Sequence, residues 1–296
     1  MLSEATGADP GTAFDNLLSE KLLQLSVTDR NNIQEEIHGV KCLAPEETPQ
    51  LIEESLLKLA NEIDNVIPDS QKRAYLRSQQ RKASAAFVNS RDFRLRFLRC
   101  ELFDYRKAAQ RMVRVCDSLL DLFGTYALER PIKLADFTNA ELKILRKGRV
   151  QPLPFRDRCG RRICILFPGA ESLKDKGDEN NARDQTRELQ RKIFLYYTSV
   201  LGSEVDTQRR GVVFIIWFDA MLADGISRDI KRIQSNMKSH QVSMLRGSAV
   251  HILSPDTPFY RLKRSILSLG AGQWVSRLRI HLGELLYAYH NIFLAM

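Results

Sequence analysis

The chain predicts an α/β fold: a mixed, largely parallel sheet preceded by a helical region. Two observations carry this. Short apolar runs at 163–167, 211–218, 249–253 and 277–283 alternate with helical patterns of ten or more residues, the spacing of strand–helix–strand units. One run, GVVFIIWFDAM (211–221), has seven apolar residues and no polar position before Asp219, so both of its faces need cover, as in a parallel sheet. Burying those seven side chains contributes on the order of 10 kcal/mol, an upper figure because unfolded chains are already partly compact.

Taken in order, residues 14–25 and 28–39 read as short helices, the second capped by Thr28 or Asp29 and stopped by Gly39. A helix over 49–66 places Leu51, Ser55, Leu56, Leu59 and Ile63 on one face, and Pro68 ends it. Residues 71–100 read as helical and strongly basic, with Leu95, Leu98 and Leu102 keeping an apolar stripe among the arginines. Asp104 is the expected N-cap of the next helix and Gly124 its stop. A small polar helix lies within 133–149, and RDRCGRR (156–162) is a turn delivering the strand ICILF. A polar loop at 170–182 and a long helix at 183–201 precede the 211–218 strand. A helix at about 225–239, the strand AVHIL, a helix at 259–269, the strand RLRIHLG and a last helix follow. This divides the chain into an acidic extension (1–67), a helical module (68–130) and an α/β lobe (131–296).

Composition narrows the function. Hydrophobic residues at 44% and charged residues at 27% exclude wholesale disorder. No run of about 18 apolar residues spans a bilayer, and MLSEATGADPGTAF lacks the basic and apolar parts of a secretory leader. The five cysteines form no CxxC pair and read as reduced thiols, not as a disulfide framework or zinc site. Charge is segregated: residues 1–67 hold 4 Lys/Arg against 13 Asp/Glu, whereas residues 68–114 hold 13 against 4. A basic surface of this kind attracts phospholipid headgroups or nucleic acid.

Catalytic chemistry finds little purchase. Asp219 stands at the carboxyl end of a buried strand, where α/β sheets bind ligands, but no histidine motif, GxSxG elbow, HExxH or Walker loop accompanies it. GAGQWV (270–275) lacks the third glycine and the preceding strand of a dinucleotide fingerprint. Asp219 therefore reads as a structural carboxylate, and Cys164 has no base spaced to activate it. No metal and no cofactor is expected.

Five segments resemble the CRAL-TRIO (Sec14-like) lipid-transfer family. RFLRCELFDYRKAAQRM is similar to its helical module and RDRCGRRICILFPG to its "D..GRPV" strand start. VDTQRRGVVFIIWFD is similar to the "ETQ..G" turn of the tocopherol-transfer branch. VHILSPDTPF resembles the strand before the gate helix, and RLRIHLGE the closing strand. They occur in family order over about 75–292. The "KPFL" after the gate is replaced by SILSL, and the chain stops at FLAM where relatives continue.

The resemblance implies a non-enzymatic monomer that binds one lipophile in a hydrophobic pocket floored by the sheet, working in the cytoplasm with transient association with an anionic membrane. On it, Phe214, Ile216, Phe218, Val250 and Ile252 form the floor, while Val213, Ile215 and Trp217 pack on helices. Alternation alone allows either assignment. Phe259, Leu262, Ile266 and Leu269 form the apolar stripe of the gate helix. Arg246, Lys263, Arg264, Arg277 and Arg279 are candidates for headgroup or membrane contact. Sterol-like, tocopherol-like, retinoid and phosphoinositide ligands all occur in the family. The alternative is a nucleic-acid-binding protein using the 68–114 cluster, with Phe87, Phe93, Phe97 and Phe103 to stack bases.

Overall fold

A computed structural model of the chain describes residues 16, 19–20, 22–80, 87–167, 179–218, 242–257 and 276–283. The helix expected at 14–25 lies only partly within them, with residues 16, 19–20 and 22–23 helical. Those at 225–239 and 259–269, the final helix, the 270–275 turn, Asp219 and most of the 170–182 loop lie wholly outside.

Seven helices open the described chain: α1 (Val27–Ile37), α2 (Pro49–Asn61), α3 (Arg73–Gln80), α4 (Arg91–Cys100), α5 (Tyr105–Phe123), α6 (Tyr126–Glu129) and α7 (Asn139–Leu145). Short polar side chains set their starts by accepting amide hydrogen bonds the first turn leaves open. The α1 cap is Ser26, whose hydroxyl accepts from Asp29 N at 3.0 Å, one turn earlier than expected. Thr48, Ser90, Asp104 and Thr138 cap α2, α4, α5 and α7 in the same way. The basic stretch expected as one helix over 71–100 is split, because Ser90 starts a new helix there. Gly124, at φ 88°, ends α5 as expected.

The helical core joins α2 to the basic helices. Leu59 and Ile63 of the acidic extension are buried with Phe93, Phe97, Leu98, Met112 and Leu119. Phe87, Phe93 and Phe97 meet edge to face, with centroids 4.8 and 5.0 Å apart, the arrangement ring quadrupoles favour.

The lobe is a five-stranded sheet of β1 (Val150–Arg156), β2 (Arg162–Leu166), β3 (Val212–Trp217), β4 (Gly247–Ser254) and β5 (Leu278–Leu282), in that spatial order. β1 and β2 form an antiparallel hairpin, and every other pairing is parallel. Sequence reading missed β1 because VQPLPFR carries two prolines. An edge strand tolerates them, since one side needs no donors. Between β2 and β3 run α8 (Glu179–Leu201) and the short α9 (Val205–Arg210), the latter formed by the segment expected as a turn.

Register sorts the strands into two faces. Cys164, Phe214, Val250 and Leu278 lie abreast on one, Ile163, Val213 and Ala249 on the other. The first is packed by Phe194 and Leu201 of α8. The second is packed by Ile33 and Ile37 of α1, which brings the acidic extension down onto the lobe.

Candidate anion-binding site

The residues expected to floor a pocket are brought together. Phe214, Ile216, Phe218, Val250 and Ile252 share one buried cluster. Val213 and Ile215 are buried on the opposite face with Trp217 packed against them, and both faces carry helices. Phe259, Leu262, Ile266, Leu269, Lys263 and Arg264 fall outside the described residues.

The basic candidates divide. Arg279 lies half-buried beside the sheet and donates to the carbonyls of Ser276 and Leu278, with burial lowering its pKa. Register sets it abreast of His251, whose Nδ1 lies 3.0 Å from His281 Nε2. Burial first, then the charges of His281, Arg161, Arg279 and His38, push His251 down to about 3, so it is neutral at physiological pH.

Arg246 and Arg277 meet at the amino ends of β4 and β5, where they line a cavity of about 470 Å³. Its other walls come from the α4–α5 turn and the first half of α5: Cys100, Glu101, Leu102, Lys107, Gln110, Arg111 and Arg114. Spacing explains the α5 contribution, because residues 107, 111 and 114 recur every turn on one helical face. The turn is unusual in holding Leu102 and Phe103 at φ 53° and 66°, a left-handed pair without glycine. Arg246 is aimed by Gly211, at φ 79°, where a Cβ would lie 2.8 Å from the Arg246 carbonyl. That contact lets Val212 N donate to the same oxygen at 2.9 Å.

Among the described residues, five cations therefore face one cavity with a single carboxylate, Glu101, in its wall. Arg111 is paired to Glu101, and Lys107 to exposed Asp104 at 2.9 Å. Arg114 is exposed and, among the described residues, bonds only the Gln110 carbonyl of its own helix, at 3.0 Å. Arg246 is 5% exposed, and its Nη2 reaches the carbonyls of Arg209 and Arg210 at 3.2 Å each. Its Nε is buried with no acceptor among the described residues, a donor a bound anion would satisfy. Among the described residues, three carboxylates stand against the five cations: Glu101, Asp104 and the Glu36 that pairs Arg246 and Arg277.

Glu36 is the residue sequence reading overlooked. It sits on α1 with no exposed side-chain surface, its Oε1 accepting from Arg246 Nη1 at 2.6 Å and from Leu43 N at 3.1 Å. Its Oε2 accepts from Arg277, and its peptide carbonyl from Arg161. Burial alone would raise its pKa, but Arg246 and Arg277 outweigh that and hold it below the ordinary value of 4.5. Nothing local marks Glu36 among thirteen acidic residues of the extension, since its partners lie more than two hundred residues away.

The charge segregation of the sequence is largely folded onto itself. Arg99 holds Glu47 through two hydrogen bonds of 2.8 Å, Arg91 meets Glu53 at 2.6 Å, and Arg209 lies 3.4 Å from Glu47. Buried Lys72 donates to the carbonyls of Ile63 and Asp64. Phe93 and Phe97 are fully buried and offer no surface to a base. Cys164 is buried, which pushes its thiol up to about 12 and keeps it protonated. Among the described residues no cluster of His, Cys, Asp or Glu is arranged to hold a metal ion, and no helix is long and apolar enough to cross a membrane. No family model matches the chain, and no match is found among curated proteins.

Proposed function

We propose that the chain is a non-catalytic binder of a lipid or lipophilic small molecule, working at an anionic membrane surface in the manner the CRAL-TRIO resemblance implies. One observation carries the reading: five cations converge on a cavity of about 470 Å³, within the range that holds a small ligand. Guanidinium groups bind phosphate oxygens in pairs, so a phosphorylated headgroup matches this wall. The site lies at the amino ends of β4 and β5, opposite the carboxyl ends at which α/β sheets commonly bind ligands. The amphipathic pattern of 259–269 would supply an apolar surface for a hydrocarbon part.

Vesicle flotation tests this. Phosphatidylcholine vesicles carrying a few per cent phosphatidylinositol bisphosphate should bind the protein, and pure phosphatidylcholine vesicles should not. The double variant Lys107→Ala/Arg114→Ala, exposed at both positions, should weaken binding about tenfold, the scale of losing two charge-assisted contacts. Equal binding to both vesicle types, together with no lipophile recovered by organic extraction of purified protein, would refute the reading. Steeply salt-dependent retention of RNA in its place would favour the nucleic-acid alternative.

A further inference from the structure

Glu36 reaches two of the arginines that line the cavity from a helix that belongs to neither wall. Its carboxylate occupies Arg246 Nη1 and Arg277 Nη1, donors of the kind a phosphate oxygen would take. We infer that α1 is an internal strap whose Glu36 competes with a bound phosphate group for Arg246 and Arg277. The inference rests on the anion-binding reading of the cavity and adds its regulation.

The way α1 is held suits a strap. Its apolar contact with the sheet is small, Ile37 buried and Ile33 partly so. The rest of its attachment is polar: the two Glu36 ion pairs, Arg161 on the Glu36 carbonyl, and the Cys159 thiol on the Gly39 carbonyl at 3.0 Å. Residues 40–48, without helix or strand, link α1 to α2. α2 is anchored independently, by Leu59 and Ile63 in the helical core and by the Glu47–Arg99 pair at its start. The link gives α1 room to leave without disturbing the core. A phosphate monoester carries up to two charges and three acceptor oxygens, against one charge and two oxygens for Glu36. It can therefore take both arginines and also engage Arg111 and Arg114. Loss of Glu36 would leave α1 with its apolar contact and the Arg161 and Cys159 bonds.

The rival is a buttress: Glu36 fixes the arginines in the geometry the ligand needs. The two predict opposite signs. With inositol trisphosphate as a soluble probe, a strap requires amide hydrogen exchange in residues 27–37 of the unmodified protein to speed up on binding, about tenfold or more. Glu36→Gln, which keeps the acceptor for Leu43 N and removes the charge, should bind the probe about tenfold tighter. Vesicles carrying phosphatidylinositol bisphosphate form a second arm; tightening there but not with the soluble probe assigns the phosphate to a lipid headgroup. Slower exchange in 27–37, or Glu36→Gln binding equally or more weakly while Lys107→Ala/Arg114→Ala loses binding, overturns the strap and leaves the cavity reading intact. No binding of either probe by wild type and Glu36→Gln removes both. If Glu36→Gln does not fold, the exchange measurement on wild type still decides.

Discussion

The two faces of the sheet are equally apolar at their centres and are closed in different ways. The Phe214 face meets α8, which the chain delivers there as the connection from β2 to β3, and the contact is hydrocarbon: Phe194 and Leu201 against Phe214, Ile216 and Val250. The Ile215 face meets α1, which enters from more than a hundred residues away. There Ile33 and Ile37 are ringed by Glu36, Asp157, Arg161, Arg246 and His251, all buried. Apolar burial is non-directional and serves a helix whose place is already set by connectivity. A remote helix has to be told where to sit, and paired charges do that because a misplaced one stays buried and uncompensated. On the strap proposal, the polar ring is what would let the second closure open while the first stays shut.

The largest expected consequence lies in that ring. Asp157 and Arg161 are a fully buried pair at 2.5 Å, with Arg161 also bonded to the Glu36 carbonyl. Asp157→Ala leaves the guanidinium uncompensated and should cost about 3–5 kcal/mol in denaturant unfolding, most of it insensitive to salt. A loss under about 1 kcal/mol would show that the ring does not hold the face.

Acid should act on the same face next. His251 is buried neutral with its pKa lowered to about 3, and His281 is lowered too. Between that value and the unfolded value near 6.5 the unfolded chain binds protons the folded chain refuses, so stability falls as pH drops through this window. From pH 6.5 to 4 the wild type should lose roughly 2–3 kcal/mol more than His251→Leu, referenced to each protein's own value at pH 7. Glu36, with its pKa held below 4.5, adds its own loss as pH falls from about that value. Parallel pH curves for the two proteins would contradict the buried-neutral assignment.

The smallest effect compares the faces directly. Ile215→Val and Ile216→Val remove one methylene from adjacent residues on opposite faces, and each should cost about 0.5–1.5 kcal/mol. Only Ile215→Val should also speed amide exchange in α1. Equal exchange in the two variants would mean that α1 does not depend on that face.

Much of the fold was legible. The run at 212–218, the Asp104 start and Gly124 stop of α5 and the apolar stripe of α2 carry local signals, and each element stands where its pattern puts it. β1 was not legible, because two prolines argue against a strand until an edge position is known. The break at Ser90 was masked by an arginine-rich pattern that reads equally well as one helix. The cavity was half legible: Arg246 and Arg277 were singled out, whereas Lys107, Arg111 and Arg114 were read only as part of the 68–114 basic cluster.

Residue order alone determined most of the described helices, the buried strands, and the division of charge into an acidic extension and a basic successor, because periodicity, caps and charge runs act over a few residues. Which acid meets which base was decided only by packing. Glu36 becomes the partner of Arg246 and Arg277 when Ile33 and Ile37 dock on the sheet, since Coulomb attraction between buried groups depends on separation in space and takes no account of separation along the chain.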